Sequence, residues 1–518
     1  MSTLKKLSMA VGLATVGAGA GHAQSIGASC GCPDVSVRTQ VNVSTLVDVN
    51  GNLLNPTTTL TCNNLYILNA RMYVNAGQDL FIEPGTVVKA LSNPGAAHAI
   101  IVARNGQIWA NGSESCPIIM TANADPLDGS YAVTNRGQWG SLVVLGNAYT
   151  NKRTTDGDVT ATATNGVGTI EGLASGDARH LYGAAVGAEI NTDNSGVIRY
   201  VSLRHGGQVI GANNEINGLT LGGVGSGTTI DHVEVIANLD DAFEFFGGTV
   251  NAKYLVGMHC DDDYIDYDQG WNGKIQFFYG LQGPDNSGGA FNQGDNGFEA
   301  DGDDNATNIA NGGLSSNPTI YNATFIARNL NDEGIEAKER TLGTLANCVF
   351  ARYARGLNMT TAVAASWNSN AFKVLNSTFQ EVTTPLQINA VPVVNGSPEQ
   401  IKFNTTDGNL VVAAQSLIDA TYALTGNNVL TDRVNPVPAA GTATTTLNAP
   451  VDGFFTGAKY RGAFQPGAEP WTTGWTLASQ IGSDVSATAG CAGDLNRDGV
   501  VNSTDFGQFV NAFGSTCY

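Results

Sequence analysis

Asn238-Leu-Asp-Asp-Ala-Phe-Glu-Phe-Phe-Gly-Gly248, Thr249-Val-Asn-Ala-Lys-Tyr-Leu-Val-Gly-Met-His-Cys260 and Asp261-Asp-Asp-Tyr-Ile-Asp-Tyr-Asp-Gln-Gly270 follow one another without a break. The third segment repeats the first: Asp241 returns as Asp263, Glu244 as Asp266 and Gly248 as Gly270, each 22 residues on. A fixed period of that size is the length of one coil of a solenoid. The same grammar of carboxylate, small residue, apolar residue and carboxylate returns at Asp295-Asn-Gly-Phe-Glu-Ala300 and Asp332-Glu-Gly-Ile-Glu-Ala337. Four coils therefore carry it.

Outward from this stretch, short apolar runs and tight-turn signals alternate from Thr57 onward. Leu65-Tyr-Ile-Leu, Leu80-Phe-Ile, Val87-Val-Lys, Ala99-Ile-Ile-Val and Pro117-Ile-Ile-Met are separated by Asn75-Ala-Gly, Pro84-Gly, Asn105-Gly and Asn111-Gly. Strands this short do not make a flat sheet domain, but they suit coils stacked strand on strand. Glycine makes up 64 of the 518 residues and only 14% are charged, against roughly a quarter in ordinary globular chains. Tyr200-Val-Ser-Leu, Val233-Glu-Val-Ile, Tyr254-Leu-Val-Gly and Ile275-Gln-Phe-Phe are expected at equivalent strand positions. Asn322, Asn347 and Asn376 open a second set. The predicted fold is all-β: a right-handed, single-stranded parallel β-helix over 60–430, preceded by a cysteine-containing segment over 24–59 and followed by a cap or extension over 431–485.

Lys5 and Lys6 before the small apolar run Leu7–Ala20, then Gly21-His-Ala23, read as a signal peptide over 1–23. The chain is thus expected to be exported to the cell surface or beyond, with no membrane span. Export makes disulfides the expectation for its eight cysteines, with Cys491 paired to Cys517; the partners of Cys30, Cys32, Cys62, Cys116, Cys260 and Cys348 are not readable. A net charge of −20 argues against nucleic acid, whose phosphates need a basic surface.

Glu83-Pro-Gly-Thr-Val-Val-Lys, Ile101-Val-Ala-Arg-Asn-Gly-Gln-Ile, Trp139-Gly-Ser-Leu-Val-Val-Leu-Gly-Asn and Asp240-Asp-Ala-Phe-Glu-Phe-Phe-Gly-Gly resemble a widespread group of exported bacterial parallel β-helix proteins. The resemblance spans about residues 60–480 and implies the fold. It brings no catalytic residues with it.

At 486–518 the composition changes. Asp494, Asn496, Asp498, Asn502 and Asp505 stand at positions 1, 3, 5, 9 and 12 of a calcium loop, with Gly499 at the turn and the Val500 carbonyl at position 7. Phe506, Phe509, Val510 and Phe513 then fall on one helix face. This segment resembles half of a type I dockerin, an EF-hand-like repeat. A dockerin carries two such repeats and this chain has one, which speaks against cohesin binding.

The acidic repeat admits three readings. Stacked coils lie about 4.8 Å apart, so aligned carboxylates repel unless something neutralises them. Ca²⁺ is one answer, with Asp261, Asp262, Asp263, Asp266 and Asp268 as candidate ligands. Structural capping of turns is the second and acid–base catalysis the third; recurrence in four coils disfavours catalysis. His205, Asn238, His259 and Asn329 are expected to form a polar column. Lys338 and Arg340, beside Asp332 and Glu336, supply the ingredients of a lyase site, and Tyr264, Tyr267 and Trp271 could stack on sugars or fill the core. The leading expectation is a Ca²⁺-stabilised structural or binding protein that meets an extracellular protein partner or another copy of itself. The alternative is a lyase or hydrolase acting on a polysaccharide.

Overall fold

The computed structural model describes residues 26–94, 97–152, 166–174, 176–210, 215–283, 295–303, 314–327, 332–413, 418, 424–425, 429–430 and 434–481. One coil runs from the four-residue strand Phe243–Phe246 through the Gly247-Gly248 turn into the longer strand Asn251–Met258, and returns at Ile265–Asp268. Asn251–Met258 pairs in parallel with Thr229–Ile236 on one side and Lys274–Leu281 on the other. Repeated pairing of this kind builds one sheet of 11 strands and another of 17: a parallel β-helix. Stacking is already present at Thr39–Asn42, which pairs with Asn64–Leu68, and among the described residues its last parallel rung is Thr378–Gln380 on Leu410–Val412.

The long strands bend once, at a residue in the left-handed region. Tyr200, His232, Tyr254, Phe277, Asn322, Asn347 and Asn376 all stand there, with φ between 47° and 63° (Tyr200 φ 47°, Phe277 φ 63°). Asparagine tolerates this conformation; larger side chains pay for it. Here the strain is offset by a stack of rings, with centroids 4.3 Å apart for Tyr200 and His232, 4.3 Å for His232 and Tyr254, and 4.9 Å for Tyr254 and Phe277. The expected alignment needs correction at two places. Val233 pairs with Val201 and Leu255, so His232 is the true equivalent of Tyr200, and Phe277 takes the place assigned to Ile275. Extra turn residues stretch that coil, and a constant spacing hides them.

The polar column is corrected in the same way. The Ala237 N–H bonds the Met258 carbonyl as His205 N–H bonds Ile236, so Ala237, not Asn238, stands in register with His205 and His259. Asn238 lies one step on and caps its own turn, donating to the carbonyls of Asp241 (2.9 Å) and Ile216 (3.3 Å). Asn329 lies outside the described residues.

Inside the coils, Phe325, Phe350 and Phe379 stack in register, with centroids 5.5 and 5.2 Å apart. Gly280 makes room for this column, because a Cβ there would stand 2.6 Å from the Phe325 ring. Tyr264, Tyr267 and Trp271 are also wholly buried, which assigns them to the core and not to a sugar-binding surface. An α-helix that no apolar periodicity in the sequence announces, Thr361–Asn368, follows a strand and is capped by the Thr360 hydroxyl. Residues 434–481 lie against the outside of the coils as a strap. Val434, Val437, Phe464 and Leu477 cover Ile236, Val256, Met258, Tyr279, Leu281 and Ile326.

Two disulfides, Cys30–Cys116 and Cys32–Cys62, tie the N-terminal segment to the first coils. Cys260 and Cys348, expected to be oxidised, are instead free and fully buried. Burial pushes both thiols up to about 12, so neither is nucleophilic at neutral pH. Peptides carrying them should stay unalkylated when the native protein is treated with iodoacetamide and become labelled in denaturant. Rapid native labelling would contradict this packing.

Candidate functional site

Alternation along the short strands decides which acids face outward. Phe243, Phe245, Ile265, Tyr267 and Phe298 point into the core with no exposure, so the residues between them are displayed on the outer face. Strand register then aligns Glu244 with Asp266, Asp266 with Glu299 and Glu299 with Glu336. Just before this row lies a second. The Asp263 N–H donates to Asp241 Oδ1 (2.9 Å), the Asn296 N–H to Asp263 Oδ1, and the Glu333 N–H to Asn296 Oδ1 (3.2 Å). One oxygen of each residue in this row therefore holds the backbone of the next coil, as the structural reading expects.

The remaining oxygens crowd together. Carboxylate oxygens of Asp240, Asp241 and Asp262 lie within 4.8 Å of one another, as do those of Asp241, Glu244 and Asp266, and those of Asp262, Asp263 and Asp295. Glu244 meets Asp266, and Asp263 meets Glu299, carboxyl to carboxyl. Asp263 Oδ2 and Asp266 Oδ1 are buried and receive no N–H or O–H from a neutral or cationic donor. Two carboxyl groups in contact need a shared proton or a cation between them.

Burial first, and then neighbouring negative charge, push the group upward in pKa. Asp240, Asp241, Glu244, Asp263 and Asp266 are all raised well above the ordinary carboxylate range. Asp262 is raised to about 7 by burial and by Asp295 and Glu299; Asp301 is raised to about 9 by burial and by Glu299. Glu299 is the exception: burial raises it, but the hydrogen bond from Asp263 and the charge of Lys338 prevail and hold it low. Lys338 pairs with Glu299 and lies 3.7 Å from Asp301 and 4.0 Å from Glu336. Burial pulls Lys338 down, yet these carboxylates outweigh it and keep the ammonium protonated.

The predicted ligands separate accordingly. Asp262, Asp263 and Asp266 belong to the cluster. Asp261 turns away to an ion pair with Arg136 (3.2 Å), whose Nε also donates to the His259 carbonyl (2.6 Å). Asp268 is half-buried at the far edge, where its Oδ1 accepts the Gln269 N–H. Asp332 accepts from Gln282 (3.0 Å), and Arg340 donates to the Asp303 carbonyl (3.1 Å), away from Lys338. Asp240, Asp295 and Glu299 join the cluster although they were not among the proposed ligands. The signal was present in the repeat, but Asp266 and Glu299 are 33 residues apart where Glu244 and Asp266 are 22 apart, and the longer loop hid the register. The loop of Asp494, Asn496, Asp498, Val500, Asn502 and Asp505, and the Cys491–Cys517 pair, lie outside the described residues.

A family model for a pectate-lyase-like β-helix domain matches residues 51–426. The chain belongs to this family. No curated protein and no solved structure matches it. In this pectate-lyase-like β-helix the acids stand on the side of the shorter strands opposite the packed apolar interior, and Asp241, Glu244 and Asp263 are themselves buried there. Its disulfides are compatible with export, and among the described residues no helix is long and apolar enough to cross a membrane. The family fits a structural or binding role and a carbohydrate-active enzyme alike.

Proposed function

We propose that this protein is an exported, Ca²⁺-stabilised β-helical structural or binding protein of the cell surface or matrix, with Ca²⁺ held by the acidic rows. The observation that carries this reading is the two pairs of facing carboxyl groups, Glu244 with Asp266 and Asp263 with Glu299, of which Lys338 contacts only Glu299. Oxygen donors are the hard ligands Ca²⁺ takes, and two ligands on one ion stand at most about 5 Å apart. Asp241, Glu244 and Asp266 meet that limit, as do Asp262, Asp263 and Asp295. Bound Ca²⁺ would remove the repulsion that the stacking of acidic coils creates. The second calcium segment, Asp494 to Asp505, belongs to the same reading, as does an extracellular protein or a second copy of the chain as partner.

The rival reading is cleavage of a polysaccharide. It draws on Asp262, whose elevation to about 7 suits a general acid. Lys338 serves it poorly, because a lyase base must be deprotonated and the surrounding acids oppose that.

Calorimetric titration of the chelated full-length protein with Ca²⁺ tests the proposal. The D494A/D498A variant isolates the β-helix contribution, which should persist there and vanish when D263N/D266N is added. The asparagines donate hydrogen bonds to Glu244 and Glu299, so the metal-free protein should melt no lower than wild type. Unchanged stoichiometry in the combined variant would remove Ca²⁺ from the rows. Chelator-sensitive cleavage on a panel of neutral and acidic polysaccharides would overturn the non-enzymatic half.

A further inference from the structure

The N-terminal segment and the C-terminal strap flank an open-mouthed cavity of about 330 Å³. Its walls include Ile26, Pro117, Ile119, Leu127 and Trp475, and the one charged side chain that lines it is Arg204. In a chain with 45 acids against 25 lysines and arginines, a pocket with an arginine and no carboxylate departs from the prevailing charge.

Arg204 is 3% exposed. Its Nε donates to Ser202 Oγ (2.8 Å), and its Nη1 is buried without a hydrogen-bond partner. The acid that might have paired with it is occupied elsewhere. Glu234 Oε2 accepts the Ser202 hydroxyl and the Leu477 N–H (2.9 Å), while Oε1 accepts the Ala478 N–H (2.8 Å). Among the described residues no carboxylate lies within ion-pair distance of Arg204. A guanidinium stays charged at any physiological pH, and its paired N–H groups match the two oxygens of a carboxylate. The pocket is also anchored. Cys30–Cys116 pins one wall, Ser29 Oγ donates to the Ser115 carbonyl (2.8 Å), and the Thr476 hydroxyl caps the helix Leu477–Gln480 that forms the opposite wall.

We infer that this cavity binds a small monocarboxylate with an apolar or aromatic body, the carboxylate meeting the Arg204 guanidinium and the body lying against Ile119, Leu127 and Trp475. The volume is near the lower end for small-molecule pockets, which favours a ligand of single-ring size.

Benzoate, hexanoate, benzamide and inorganic sulfate are the probes, titrated into the full-length protein with tryptophan fluorescence and calorimetry as readouts. Benzoate or hexanoate should saturate, and benzamide, which has the shape without the charge, should bind about tenfold more weakly or worse. Sulfate, which has charge without the apolar body, should be similarly weak. Arg204→Met should abolish the preference for benzoate over benzamide. Because a buried arginine can matter for folding, Ser479→Trp, which fills the mouth from the half-buried strap, should block binding while leaving the fold intact. Equal affinity for benzoate and benzamide, sulfate binding as tightly as benzoate, an unaffected Ser479→Trp variant, or no saturation by either carboxylate up to about 20 mM would each overturn the assignment.

Discussion

In chelator, the melting temperature is expected to fall steadily as the pH is raised from about 5 to about 9, the reverse of the usual behaviour of paired carboxylates. The sign follows from the direction of the shifts. Carboxyl groups with folded pKa values above their unfolded ones hold protons in the native state that the unfolded chain has released. Their stabilisation is present below the unfolded values, near 4, and is lost as the pH climbs through the folded ones. Asp262 at about 7 and Asp301 at about 9 place that loss within the measured window. Asp241, Glu244, Asp263 and Asp266 act in the same direction. Glu299, held low, titrates below this window, and His205 and His180, which burial lowers, oppose the carboxyl groups only at its acid edge, below the ordinary imidazole value. Saturating Ca²⁺ should flatten or reverse the slope, because the ion competes with protons for the same oxygens and binds better as they leave. A melting temperature that rises between about pH 5 and 9 in chelator would show that the rows are relieved by something other than protons or metal.

The second large effect is expected in the core. Phe350 has no exposed surface and lies between Phe325 (5.5 Å) and Phe379 (5.2 Å), with Phe298 at 6.2 Å and Tyr353 at 6.4 Å. Phe350→Ala removes a ring from the middle of the column, and the backbone on both sides is locked by parallel pairing to Thr319–Ile326 and Thr378–Gln380. The cavity therefore cannot close by collapse, and a cost of about 3–5 kcal/mol is expected. In a solenoid each coil meets only its neighbours, so the loss should be felt first in the coils after Phe350. Hydrogen exchange of Phe372–Leu375 and Thr384–Ile388, together with chemical denaturation, measures it. A loss below about 1 kcal/mol would mean that the column is not a packed unit.

The repeat at Asn238–Gly270 was enough to specify a stack of coils, because alternation in a strand and a recurrent turn are local properties written in adjacent residues. The same locality made the Glu244–Asp266 row legible, with no insertion between those two coils. Register across longer loops was not legible. Glu299 and Lys338 reach the cluster, and His232 rather than Val233 takes its place in the ring stack, only because hydrogen bonding between strands absorbs loops of unequal length. The fate of Cys260 and Cys348 was likewise settled by where the coil places them, deep in the interior, and not by the compartment that the composition suggests.

What the sequence determined by itself is a parallel β-helix with carboxylates in aligned rows: a period of 22 residues and an apolar residue at every other strand position leave the acids no other face. What only the tertiary structure decided is which of those acids touch, and that Asp261 is drawn off to Arg136 while Asp263 meets Glu299. It also decided that Ile26–Ser29 and Gly474–Gln480 come together around Arg204. Such contacts join residues tens to hundreds of positions apart, and no local pattern encodes them.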